Sequence, residues 1–481
     1  MKKILLIISI IIVTIYIFIS LNLGNENKFS TLKKMISQET KYNIKYYLFP
    51  YKLIDELQTK LHFGLSPIQK RVRQDFKKKE NSTDFKFVNL QKTIIIEDKN
   101  YTLRGFLSDN SISRGINNIF PGSGHLEFYD EKLFFVSAIG IFGFSKPKNS
   151  ELKFKQIKNN IENFINEESL IKHQWFSVKD LSIFDNKVFV SYTNEIYKDC
   201  WNTTVLIANL NYEYLTFKKL FEPQECVYTE SATKIESPKY KIDQNVDGEF
   251  NAHQSGGRIV KLDKNHVLLS MGEFRYRSYA QDLNRSFGKI IKLNINSGNY
   301  EIISYGHRNP QGLYFDKENN FVLTTEHGPR GGDEVNLIDL NFNKISNYGW
   351  PLASYGEHEA GGNWPGDVTE PALCEPETCK KKYNKYPLYK SHKDYGFIEP
   401  LTYFVPSIGI SNIVGLGNKI YMFVSMARDK SLYTFRLNDN NELENLVRNE
   451  IGERIRDIIF NGKKIFLFLE DTATIGIIDY K

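Results

Sequence analysis

The sequence predicts an all-β protein: a six-bladed β-propeller behind an N-terminal transmembrane helix and a short stalk. Three observations lead there. A turn-plus-strand word recurs six times along the body of the chain, aromatic residues make up 14% of it alongside many Ile and Val, and a long uncharged run stands near the N-terminus. β-Branched and aromatic side chains suit a pleated, half-buried surface. At 481 residues the chain exceeds the size at which most single cores stop growing, and radial repetition of small sheets accommodates such lengths.

In chain order, Ile4–Leu21 is an unbroken run of uncharged, mostly aliphatic residues behind Lys2 and Lys3. It is long enough for a slightly short membrane span. No small-x-small cleavage site follows, so residues 1–24 read as an uncleaved signal anchor, the alternative being a cleaved export signal. Residues 25–84 read as a basic stalk: residues 1–84 carry 15 Lys/Arg against 7 Asp/Glu, or +8, which leaves the rest at −2. Positive charge beside a membrane segment points to anionic lipid rather than to nucleic acid. The expected location is the periplasmic side of the inner membrane, with a cleaved periplasmic or secreted form as the alternative.

Residues 85–481 form the expected propeller. Its recurring word is a turn rich in Asp, Gly, Asn or Lys followed by an alternating apolar strand. It begins at Tyr129, Phe184, Leu262, Phe315, Leu416 and Phe460. One interval, from Phe315 to Leu416, is far longer than the others because it holds a Pro/Gly/Cys-rich insert at about residues 351–400. A closed ring of blades removes the exposed edges that a single large sheet would leave. The four cysteines, Cys200, Cys226, Cys374 and Cys379, suit two disulfides in an exported protein, with three connectivities open.

The chemistry concentrates between Gly306 and Pro351, in G-H-R-N-P-Q-G, T-E-H-G-P-R-G-G-D-E-V-N-L-I and N-Y-G-W-P. Cations, carboxylates and turn formers at this density suit a ligand-binding rim held by strands. Upstream, A-H-Q-S-G-G-R-I sets His253 among small residues that let a ligand approach its imidazole, and histidine is a usable base near neutrality. Near the C-terminus, Arg454 and Arg456 in G-E-R-I-R-D-I share one face of a strand.

These words occur in a fixed order: H-Q-S-G-G-R, A-Q-D-L-x-x-x-x-G-K-I, G-H-R-N-P-Q-G and E-H-G-P-R-G-G-D-E-V-N. The set resembles the soluble glucose/sorbosone dehydrogenase family over about residues 170–481, and only weakly over 85–170. The resemblance implies a pyrroloquinoline quinone cofactor held with Ca2+ at the mouth of the propeller's funnel. It implies cofactor contacts at Arg308, Asn309, Gln311, Ser407, Arg454 and Arg456, since three carboxylates need a cationic cradle. Arg428 would replace the family's cofactor-facing lysine, with Lys430 as the alternative. The carbonyls of Gly328 and Pro329 would bind the cofactor's calcium, and Glu334 with the carbonyl of Tyr348 a structural calcium. His253 would take the substrate's hydroxyl proton as hydride passes to the quinone.

Departures fall on the sugar side. Ala252 precedes the histidine where glucose-oxidising relatives can carry an acid, Val405 replaces an aromatic residue, and Gln174 stands one position out of register. The expected function is therefore a quinoprotein dehydrogenase acting on an aldose, sugar aldehyde or related alcohol and passing electrons to an unidentified acceptor. The alternative is a catalytically silent propeller that binds a ligand or a protein.

Overall fold

A computed structural model describes residue 14 and residues 84–96, 101–108, 124–147, 151–165, 177–197, 200–228, 252–341, 344–357, 387–426 and 429–480. The expected anchor (Thr14, which is helical, excepted), the stalk, Gln174, Cys374, Cys379 and Arg428 lie outside the described residues. Among the described residues no helix is long and apolar enough to cross a membrane.

The body is a six-bladed, all-β propeller. Blade 1 comprises Gly124–Tyr129, Lys132–Ser137, Phe142–Ser145 and Glu151–Asn159, and blade 2 comprises Val178–Phe184, Lys187–Tyr197, Cys200–Asn209 and Lys218–Phe221. Blade 3 holds Gly256–Lys261, His266–Met271, Lys289–Asn294 and Tyr300–Tyr305. Blade 4 holds Pro310–Asp316, Phe321–Glu326, Asp333–Asp339 and, beyond the insert, Thr402–Phe404. Blade 5 runs Ile410–Gly417, Ile420–Ser425, Ser431–Leu437 and Leu443–Glu450. Blade 6 takes Ile455–Phe460, Lys464–Leu469 and Thr474–Asp479 from the C-terminus.

Every recurring word is the turn between the first and second strands of a blade. Asp130 and Glu131, Asp185 and Asn186, and Asn418 and Lys419 all take positive φ, the conformation that two-residue hairpins matching the strand twist require. The first strand of each blade is innermost, and each packs beside the first strand of the next blade, with blade 6 returning to blade 1.

An N-terminal strand closes the ring. Tyr101–Ser108 is the fourth strand of blade 6, pairing antiparallel with Thr474–Asp479 from Leu103↔Ile478 to Leu107↔Thr474. Its hairpin partner Phe85–Ile96 then pairs with Glu151–Asn159 of blade 1. Phe85, Phe87, Phe135 and Phe154 interlock beneath this join, with Phe85 stacked on Phe154 at 5.1 Å. Each such pair contributes about 0.5–1.5 kcal/mol beyond the area it buries. In blade 2 a disulfide joins Cys200 to Cys226.

Candidate active site

Five innermost strands carry a bulge near their first residues, between Val178 and Asp180, Gly256 and Ile259, Pro310 and Gly312, Ile410 and Ile413, and Ile455 and Asp457. A bulge re-aims the side chains it contains. The residues concerned are Lys179, Arg258, Gln311, Asn412 and Arg456, one from each of five successive blades. All sit at the same end of the ring, so a polar centre is built from strands that are otherwise apolar.

Arg258 is the hub of that centre. Its Nη1 donates to Asp180 Oδ1 and Asp457 Oδ1, both at 2.8 Å, and lies 3.4 Å from His125 Nδ1. Nε donates to the Gln311 carbonyl at 2.7 Å and Nη2 to the Arg456 carbonyl at 3.0 Å. Asn412 Nδ2 donates to Asp457 at 2.9 Å, so all six blades are tied at one point. His125, Asp180 and Asp457 are close enough together to hold a metal ion, but the guanidinium already supplies their positive charge. Burial nonetheless pushes the Asp180 carboxyl up to about 7, against the pull of Arg258.

Around this hub the expected site residues converge. His253 lies in a short 3-10 turn, Ala252–Gln254, ahead of the blade 3 inner strand. Its side chain is exposed to the axial channel yet ringed by protein. That crowding, with the nearby cations Lys179 and Arg456, pushes its pKa down to about 3. The ring keeps some water contact, so the direction carries the argument: His253 is neutral at pH 7 and has a lone pair to offer.

Arg308 and Asn309 immediately precede the blade 4 inner strand, and both are buried. Arg308 Nη1 donates to the His327 carbonyl at 3.2 Å, and its guanidinium lies over the Trp350 ring at 5.2 Å. Asn309 Oδ1 accepts from Gln311 Nε2 at 2.8 Å and from the Gly256 amide at 3.3 Å, linking blades 3 and 4. In blade 6, Arg456 Nη2 donates to Glu470 Oε1 at 2.9 Å and Arg454 Nε to Glu470 Oε2 at 3.1 Å. Burial lowers the His327 pKa most, Asp333 opposes it, and Arg308, Arg456 and Arg454 each lower it further. His253 and His327 thus both lie within electrostatic reach of Arg454 and Arg456, and His327 also of Arg308.

Asp333 organises the remaining rim. It accepts from the Gly328 amide at 3.1 Å, from Ser407 Oγ at 2.9 Å and from the Gly409 amide at 2.7 Å. At Gly328 the carbonyl oxygens of Gly331 and Gly332 approach so closely that no side chain fits there. The result is a tight, oxygen-rich turn beside Pro329, a donor type that suits a hard cation. Val405, which is exposed, flanks the same turn across from Gly331. Lys430 is drawn away to Asp471 at 2.7 Å.

The surroundings of Glu334 differ from an all-oxygen calcium site. Its carboxylate and that of Glu326 are both bridged by Asn336 Nδ2 at 3.2 Å. The imidazole of His392 stands 3.6 Å from Glu334 Oε1, with the Tyr348 carbonyl also against it. Burial and the adjacent Glu326 carboxylate raise the Glu334 pKa well above the usual carboxylate range. Glu334 and Tyr348, the residues expected to hold a structural calcium, line one small pocket together with Glu326 and His392.

Sequence reasoning missed Lys179, Arg258, Asp333 and Glu470. Arg258 and Asp333 lay inside words already singled out, and Lys179 lies in H-Q-W-F-S-V-K-D, the word that holds Gln174. The A-Q-D-L…G-K-I word proves to stabilise a loop: Lys289 Nζ donates to the carbonyls of Tyr279, Ala280 and Phe287.

Comparison with known proteins adds to this geometry. Residues 185–379 match the family model described as Glucose / Sorbosone dehydrogenase. Aldose sugar dehydrogenase YliI of Escherichia coli is 29% identical over 223 residues, covering 42% of this chain and 53% of that protein. The chain spans about half the length of the curated relatives it matches. The apo-form soluble aldose sugar dehydrogenase of Escherichia coli superposes with a TM-score of 0.53 at 20% identity, covering 74% of this chain and 94% of that one. The PQQ-bound aldose sugar dehydrogenase of Streptomyces coelicolor gives 0.52 at 16% identity, covering 78% and 98%. At these identities the structural likeness speaks for the fold alone.

Proposed function

We propose that this chain is a pyrroloquinoline quinone-dependent sugar dehydrogenase, a reading supported by the match of residues 185–379 to the Glucose / Sorbosone dehydrogenase family model. One observation carries the reading: the neutral imidazole of His253 lies within electrostatic reach of Arg454 and Arg456, the pair that together with Arg308 also acts on His327. A structural neighbour of the same fold was solved with PQQ bound.

The residues present suit a flat triacid. Arg454 and Arg456 are fixed in place by Glu470, so their remaining N–H groups are pre-aimed at carboxylates rather than ordered on binding. Arg308 is held by Trp350 and the His327 carbonyl, and Asn309 by Gln311. Gly328 and Pro329 would offer carbonyl oxygens to a calcium ion at the rim. When bound, the quinone supplies an electron-poor carbonyl that accepts a hydride.

The chain's own contribution is to hold the substrate carbon within about 3–3.5 Å of its partner and to take up the hydroxyl proton on His253. Burial first, and then Lys179 and Arg456, keep that imidazole neutral at pH 7, and negative charge placed beside it offsets part of the cations' pull.

The substrate class we propose is an aldose, sugar aldehyde or related alcohol, admitted past Val405. The Cys200–Cys226 disulfide supports a location outside the reducing cytoplasm, with Ile4–Leu21 as the proposed tether. The test uses the full chain with quinone and Ca2+, following dye reduction with a panel of aldoses and alcohols. The expected result is aldose-dependent reduction that requires the quinone; no reduction with any panel member contradicts the assignment.

A further inference from the structure

Lys179 was given no role by the sequence motifs, yet it occupies a position with a known counterpart. It is the bulged residue of the blade 2 inner strand and is followed by Asp180; Arg456 is the bulged residue of the blade 6 inner strand and is followed by Asp457. Both aspartates bind the same atom, Arg258 Nη1, at 2.8 Å. With both aspartates pinned to one guanidinium, the residues immediately before them occupy equivalent places around the axis. V-K-D is therefore the blade 2 version of the I-R-D element of blade 6.

The surroundings agree with that placement. Lys179 is half-buried. Its ammonium faces His253 from blade 3, Arg456 and Glu470 from blade 6, and His125 from blade 1, with the Arg258–Asp180–Asp457 cluster below. Space for its stem is provided by Gly257, whose φ is +112°. A Cβ on Gly257 would come within 2.6 Å of the Lys179 Cβ, so a glycine is needed opposite this lysine.

Building on the quinone assignment, we propose that Lys179 is a cofactor-contacting cation that completes the carboxylate cradle from the blade 2 side, beside His253. The cradle then spans blades 2, 4 and 6 rather than 4 and 6 alone. Burial and Arg456 lower the lysine pKa to about 7. A bound carboxylate restores the charged form, so binding above pH 7 takes up a proton at Nζ. As pH rises from 7 toward 9, the affinity of the wild type should fall.

The experiment titrates pyrroloquinoline quinone, in Ca2+ buffer, into the full-length wild type, Lys179→Met and Lys179→Arg. Binding is followed by tryptophan quenching, and proton uptake at pH 8 by calorimetry in buffers of different ionisation enthalpy. Lys179→Met should weaken binding by about tenfold to a hundredfold and abolish the proton uptake. Lys179→Arg should retain most of the affinity without the uptake, since arginine stays charged. Unaltered affinity and proton uptake in Lys179→Met would overturn the proposal while leaving the quinone assignment standing. Absence of binding by the wild type overturns both.

Discussion

Replacing Arg258 with methionine should destabilise the propeller by about 3–5 kcal/mol, the usual cost of stranding buried charge by deleting its partner. Arg258, Asp180 and Asp457 are nearly inaccessible, with side-chain exposures of 5%, 8% and 1%. Methionine fills much of the volume but leaves two carboxylates facing one another without a cation. It also removes the donors that hold the Gln311 and Arg456 carbonyls. The defect should depend on pH in a definite direction. A buried carboxyl whose folded pKa lies above its unfolded value, as burial makes that of Asp180, loses stability as pH rises between the two values. Without Arg258 that upward shift grows. Thermal melts of Arg258→Met should therefore fall furthest below wild type at pH 8 and recover part of the difference at pH 5. A uniform deficit at both values would show that lost packing, not stranded charge, is the cause.

His253→Gln should lower turnover by about 10²–10⁴-fold, the range contributed by a positioned general base, while changing quinone affinity only a few-fold. Glutamine retains most of the size and hydrogen-bonding reach of the side chain and loses its basic nitrogen. The wild-type rate should fall on the acid side as His253 protonates. Steady-state rates across pH, with quinone titrations of both proteins, separate a lost base from a lost cofactor. Turnover that survives the substitution would assign the proton to another group.

The hairpins were legible because a tight turn needs residues that tolerate positive φ. Asp130–Glu131, Asp185–Asn186 and Asn418–Lys419 advertise that need locally. The strand that closes the ring was not. Tyr101–Ser108 pairs with the far end of the chain, and nothing in Y-T-L-R-G-F-L-S names so distant a partner. His253, Arg308, Asn309, Arg454 and Arg456 could be read from ordered words. Lys179 could not, because V-K-D-L-S looks like ordinary strand alternation until the bulge at Asp180 turns its lysine toward the axis. Glu470 was hidden for a related reason: it lies past the end of an apolar strand and acquires meaning only once Arg454 and Arg456 are seen to share it.

The imidazole of His392 likewise shows how a contact made across the insert alters a site. Residues 326–348 supply the Glu334 carboxylate, and the residue returning after the insert adds a nitrogen base beside it. The donor type at that position could not be inferred from residues 326–348 by themselves.

The central claim is that cations from separate blades form one well fitted to an anionic quinone. Its most direct test is equilibrium titration of the full-length protein with pyrroloquinoline quinone in Ca2+, beside Arg456→Ala. Saturable one-to-one binding at micromolar or lower concentration, weakened by about tenfold or more in the variant, is the predicted result. Binding that Arg456→Ala leaves unaltered, or no saturation in the wild type, would contradict the account.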